Sequence, residues 1–321
     1  MAQVRAVLEV RQVAIYFVAI TSGAFAGLTV SKAGALEVVI NPALAVMLFV
    51  TFLQVPLAEL GAALRNTRFL GVLLVTNFVI MPTVTAVLVQ FLPDDPMLRL
   101  AVLFVLLTPC IDYVVTFTHL GRGDARLLLA ATPALLLFQI VLLPIFLRLL
   151  LGSDASDLVQ LGPFIHAFIW LIAVPLVLAG AVQLWAAQTT SGDRVATALG
   201  LLPVPATALV LFLVLASVMP RIAEAGTAAL TAVPIYVAYA VLAPVIGWLT
   251  ARSLRLEPTA ARAVSFSAAT RNSLVVLPLA FAVPGGVPLI PAVIVTQTII
   301  ELVSELLYVR WIPRLSGRPA I

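Results

Sequence analysis

Charge is what this sequence has least of. Of its 321 residues, 10% are charged and 63% are hydrophobic, with a mean hydropathy of +1.18. A soluble domain carries about 25% charged residues. So little charge cannot cover a water-exposed surface, which makes the bilayer the main solvent. Cysteine is nearly absent: Cys110 stands alone, so no intrachain disulfide can form. Histidine is limited to His119 and His166, without companions at metal-ligand spacing, and both read as interfacial residues. Lys32 is the sole lysine; every other basic residue is Arg. Neither GxSxG nor HExxH occurs. Gly121-Arg122-Gly123-Asp124 matches the GxGD pattern of intramembrane aspartyl proteases. Such an enzyme needs a second Asp at the same depth, and Asp124 is expected in a cytoplasmic turn, away from Asp112. Enzymatic chemistry, a metal centre and a cofactor are therefore not expected. The net charge of +4 would raise nucleic acid as a partner in a soluble protein. Here the arginines are scattered between apolar runs, and nucleic acid is not expected. No short apolar region followed by a small-residue cleavage site opens the chain, so the first apolar run reads as a retained helix.

What the chain has in abundance is long apolar runs. A spanning helix needs roughly 20 mostly apolar residues. Ten candidate spans fall at about 12–30, 38–60, 69–92, 97–119, 125–151, 161–187, 196–219, 228–250, 260–283 and 288–312. Short connections carry the turn and charge signals: SKAG, RNTR, PDDP, GRGD, GSDASD, TTSGD, RLEP and PGG. With a cytoplasmic N-terminus, thirteen arginines fall on the inner side. Lys32, Arg99, Arg148 and Arg221 fall outside, and Arg271 lies within a span. That bias predicts a multi-pass protein of the plasma (inner) membrane with both termini cytoplasmic.

The chain also resembles itself. At an offset of 162 or 163, Pro42-Ala43 meets Pro205-Ala206, Pro82 meets Pro244, Phe104 meets Phe266 and Thr108 meets Thr270. With a small gap, Gln139 meets Gln297. Spans one to five (1–152) then correspond to spans six to ten (153–321). Five is odd, so the second half enters the membrane from the opposite side. The fold class expected is an all-α membrane protein of about ten helices in two inverted five-helix repeats. Polar clusters interrupt spans four and nine at matched places: Thr108-Pro109-Cys110 with Asp112, and Thr270-Arg271-Asn272-Ser273. Pro109 cannot donate a backbone hydrogen bond. Two discontinuous helices crossing there would aim their broken ends at a bound solute.

These clusters carry a family resemblance. Thr108-Pro109-Cys110-Ile111, His119 through Asp124, and Phe138-Gln139 resemble the bile-acid/sodium symporter superfamily, within it the arsenite permeases of the arsenical-resistance type. So do Ala269 through Ser273, Leu277-Pro278-Leu279-Ala280, Val295-Thr296-Gln297 and the segment Gln54 through Leu60. The resemblance implies a panel domain and a core domain into which the two repeats interleave, with spans four and nine crossing in the core. It also implies that Cys110 matches the membrane cysteine on which arsenite permeases depend. Arsenite permeases carry a carboxylate in span nine and the sodium-coupled branch a Glu and Gln; this chain has Arg271.

The residues themselves suggest roles. A thiolate is a soft ligand for arsenic(III), although a lone buried Cys otherwise behaves as a small hydrophobe. Asp112 and Arg271 are opposite charges at span centres and form the natural pair between the two clusters; the alternative is a purely structural lock. Glu301 and Glu305 share a helix face one turn apart, with Gln297 a turn before them. Glu301 is a candidate proton carrier with Asp112, whereas Glu305 is expected to pair with Arg310 or Arg252. The solute-binding set expected is Thr108, Cys110, Arg271, Asn272 and Ser273; the coupling set is Asp112, Arg271, Gln297 and Glu301. The function expected first is proton-coupled efflux of arsenite or a related metalloid. The second is a bile-acid-transporter-like carrier of a small organic anion, independent of sodium. A passive channel is the third. Expected partners are a small solute, the lipid bilayer and a proton or sodium ion, with homo-oligomerisation left open.

Overall fold

The computed structural model describes residues 2–30, 33–55, 66–111, 113–152, 166 and 168–316. They are helical throughout, without a named strand among the described residues. In chain order the helices are α1 (Ala2–Thr29), α2 (Glu37–Phe52), α3 (Thr67–Val89), α4 (Pro96–Leu106), α5 (Tyr113–Leu120), α6 (Ala125–Leu151) and α7 (Ile169–Gln188). Then come α8 (Thr190–Leu199), α9 (Pro203–Val218), α10 (Ile222–Ser253), α11 (Pro258–Ala269), α12 (Ser273–Phe281) and α13 (Leu289–Trp311). Seven segments among the described residues are long and apolar enough to cross a membrane, and α2 and α4 are shorter apolar helices.

The differences from the expected spans have local causes. The spans expected at 97–119 and 260–283 are each two helices, α4–α5 and α11–α12. Part of the second expected span, with Pro56 through Leu60, lies outside the described residues, as does the GSDASD connection after Gly152. TTSGD, expected as a connecting turn, opens a helix instead. Thr189 caps α8 by accepting from the Gly192 N–H at 3.0 Å, which satisfies a donor that has no partner within the helix. The turns at RNTR, PDDP and GRGD end in caps of the same kind, from Asn66, Asp95 and Asp124.

Prolines shape the long helices. Pro82 lacks the N–H that would bond the preceding turn, and its ring crowds the carbonyl there. The ladder widens into a π turn over Thr76–Ile80 just before it. A second π turn, Ile169–Ala173, precedes Pro175 in the same way.

The chain divides into two compact units, each drawing segments from both halves of the sequence. The first comprises residues 1–54, 158–227 and 274–295. Within it α1 packs along α9. The approach is closest at Gly23 and Gly27, four residues apart: a Cβ at Gly23 would lie 2.5 Å from the Phe212 carbonyl oxygen. Small residues at this spacing let two membrane helices touch backbone to backbone.

The second unit comprises residues 55–157, 228–273 and 296–321 and holds the buried polar residues considered below. Here α6 packs on α4 and α5, while α11 packs on α3, α5 and α6. The GRGD turn seals α5 and α6 against α11. A Cβ at Gly121 would lie 2.2 Å from the Phe266 ring, so only glycine fits. Asp124 caps α6 by accepting from the Leu127 N–H at 3.0 Å, and its own N–H donates to Thr259 O at 2.9 Å. The motif that mimics a protease is thus a turn and a helix cap.

Candidate functional site

The site begins where two helices stop. Leu107 caps α4, and Pro109 two residues on cannot continue it. The second interruption, after α11, falls at Thr270-Arg271-Asn272. The two interruptions pair as a short antiparallel bridge between Pro109 and Arg271. The Cys110 N–H donates to Thr270 O at 3.1 Å, and the Asn272 N–H donates to Thr108 O at 2.8 Å. Buried backbone groups released by the breaks therefore satisfy one another. Thr108 and Thr270 also behave alike: each hydroxyl reaches back to the Phe carbonyl four residues earlier, at 3.0 and 2.7 Å.

Arg271 fills the space beside this bridge. It is the largest fully buried side chain among the described residues. Its Nη2 donates to Ser267 O at 2.6 Å, Ala268 O at 2.7 Å and Asn77 Oδ1 at 2.8 Å; Nη1 donates to Leu106 O at 3.4 Å. Leu106 is the last residue of α4, and Ser267 and Ala268 lie in the last turn of α11. The guanidinium thus sits on the negative ends of two helix dipoles, where a cation is favoured. The Tyr239 ring lies 5.6 Å from its central carbon, a cation–π contact. Tyr239 also donates its hydroxyl to Ala268 O. Among the described residues no carboxylate comes within ion-pair distance of the guanidinium.

The nearest acid reaches Arg271 through its backbone. Oε2 of Glu301 accepts from the Arg271 N–H at 2.6 Å and from Gln297 Nε2 at 2.7 Å. Oε1 of Glu301 accepts from the Tyr113 hydroxyl, at the start of α5. Glu305, one turn further along α13, is fully buried and meets the Thr270 hydroxyl. It does not pair with Arg252 or Arg310. Arg252 instead lies over the Trp248 ring at 6.0 Å, and Arg310 is exposed. Glu305 shares a face with Glu301, and whatever buries one buries the other.

The structure thus brings together Thr108, Cys110, Arg271, Asn272, Gln297 and Glu301. Cys110 is buried in the bridge, and Asn272 is 2% exposed with its Nδ2 donor unpartnered among the described residues. Ser273 is also buried, its hydroxyl 2.9 Å from that of Thr298. Asp112 lies outside the described residues, and so does its expected pairing with Arg271. Three contributors were missed in the sequence, Asn77, Tyr113 and Tyr239, while Glu305 was expected to pair with Arg310 or Arg252 instead. Only Asn77 carried a signal, as a lone amide in an apolar run five residues before Pro82.

An all-helical membrane chain with two interrupted helices joined at buried polar residues belongs to the multi-pass transporters rather than to the soluble enzymes. The model of the sodium bile acid symporter family matches residues 41–225, and the chain belongs to that family. Its members are transporters, not enzymes. No curated protein matches the chain significantly.

Proposed function

We propose that the protein is a secondary transporter that exports arsenite or a related metalloid in exchange for protons, with its solute site at the bridge between the two helix breaks. One observation carries this reading: the chain's only thiol, Cys110, is buried in that bridge, two residues across from a buried amide, Asn272 Nδ2, that has no hydrogen-bond partner among the described residues. Thiolate is the ligand that soft arsenic(III) prefers. A single thiol holds it weakly enough for release, and the Asn272 amide supplies a donor for an arsenic-bound oxygen. The buried carboxylates of α13, Glu301 and its neighbour Glu305, carry the coupling proton between them. Sodium has no place in the cycle, because Arg271 already occupies the ends of α4 and α11 as a fixed cation.

The ten-span layout belongs to the same proposal, with inverted halves 1–152 and 153–321 and both termini cytoplasmic in the plasma membrane. Its support is the symmetry of the bridge. Thr108 and Thr270 match at the sequence offset of 162, their hydroxyls bond equivalent Phe carbonyls, and their own carbonyls accept from Asn272 and Cys110 in turn.

A second reading, a carrier of small organic anions, is favoured by one atom. Arg271 Nε is buried without a partner among the described residues and could donate to a carboxylate. A thermal-shift series on the purified protein separates the two readings, because a ligand of the native state raises apparent stability. Arsenite and antimonite should raise the melting temperature saturably, and exchanging potassium for sodium at constant ionic strength should leave it unchanged. A response to organic acids with none to arsenite would select the second reading.

A further inference from the structure

We propose that Glu305 is a proton-binding site of this transporter, holding a proton that Glu301 one turn away does not. Hydrogen-bond inventory places it. Thr270 has one hydroxyl proton and two oxygens in reach, Phe266 O at 2.7 Å and Oε1 of Glu305. A hydroxyl donates once. Two separate hydrogen bonds here require that Thr270 donates to Phe266 while a proton on Glu305 is donated to Thr270. The matched Thr108 hydroxyl is likewise directed at its own preceding turn, 3.0 Å from both Phe104 O and Val105 O. Glu301 is in the opposite situation. Its two oxygens accept from the Tyr113 hydroxyl, the Arg271 N–H and Gln297 Nε2, three donors that suit an ionised carboxylate.

Charge balance agrees. Arg271 supplies one fixed positive charge near the pair, and Glu301 balances it. A second buried anion would have no counter-ion among the described residues, an expensive state in a dry site. Besides Tyr113, the other titratable groups around the two acids among the described residues are Tyr308 on the same helix and Tyr236 and Tyr239 on α10. A small cavity beside Glu301, with room for about one water molecule, is lined by Gln297 and these three tyrosines. Tyr236 Oη and Gln297 Oε1 are both buried without a partner among the described residues. A water held there would accept from the phenol, donate to the amide and lie beside Glu301. The pair is singly charged when loaded and doubly charged when empty.

The role in transport rests on the proton coupling proposed above; the location of the proton does not, and it is tested without substrate. Infrared spectra of the purified full chain in lipid at neutral pH should show a protonated-carboxyl stretch that shifts in D2O. Glu305→Gln should remove that band and Glu301→Gln should retain it. Thr270→Val should move it to higher frequency, since the acid then loses its acceptor. A band unchanged in Glu305→Gln, or absent from the wild type, overturns the assignment. In vesicles, the ratio of pH-driven to equal-pH arsenite flux should fall at least about tenfold in Glu305→Gln, within the usual range of coupling between sites. An unchanged ratio overturns the coupling role. A wild type without pH-driven arsenite flux defeats the proposed function, while the infrared band still decides where the proton resides.

Discussion

Replacing Cys110 with Ser is expected to abolish arsenite resistance in a sensitive host while leaving the protein folded in the membrane. Serine keeps the shape of the side chain and the backbone bond from residue 110 to Thr270 O. It replaces a soft, ionisable sulfur with a hard, neutral hydroxyl, which arsenic(III) binds poorly. Partners one shell removed from a bound metal already contribute about 10–100-fold to affinity. Loss of the ligand itself should therefore cost at least about a hundredfold in arsenite flux. Resistance of a growing culture, normalised to the amount of protein in the membrane, reads this directly. Full resistance in the variant would remove the thiol from the mechanism. Asn272→Ala should weaken transport less, since it removes a donor and not the soft ligand.

Arg271→Ala should have the largest effect on folding. The substitution strips donors from Leu106 O, Ser267 O, Ala268 O and Asn77 Oδ1 at once, and it removes the charge that balances Glu301. Breaking a buried, charge-compensated set costs about 3–5 kcal/mol, against a total stability of about 5–15 kcal/mol for a typical protein. Little correctly folded protein should accumulate, as read by size-exclusion chromatography of a fluorescent fusion. Lysine should restore it in part: it keeps the charge but replaces a planar fork of five donors by three. A smaller neutral residue creates a further test. In Arg271→Ser the two helix ends lose their cation, and sodium should then raise the melting temperature, whereas the wild type should be indifferent. Equal indifference in the variant would show that the carbonyls need hydrogen-bond donors and not charge.

Much of this arrangement was legible in the sequence, and the reasons differ by residue. The two helix breaks were legible because a proline and clustered polar residues have no other use inside an apolar run, and because Thr108 and Thr270 recur at one offset. The helical segments were legible from run length alone, except where a break or a cap intervened. TTSGD misled because the residues that favour a turn also favour the first turn of a helix; only the Thr189 cap decides between them. Glu305 misled because nearness to arginines in sequence was weighed above the helix face it shares with Glu301. Asn77 could not be placed: its contact with Arg271 spans 194 residues and depends on a π turn that no periodicity announces. Tyr113 and Tyr239 read as ordinary apolar aromatics until their hydroxyls found Glu301 and Ala268.

The most direct measurement is arsenite flux in sealed vesicles containing the purified protein, with a pH gradient imposed and sodium absent. Arsenite should accumulate against its gradient on the side from which protons leave, and collapsing the pH gradient should stop it. Adding sodium should change neither the rate nor the extent. Uphill movement that requires sodium, or movement that only dissipates an arsenite gradient, would contradict a proton-coupled carrier in which Arg271 has taken the place of the ion.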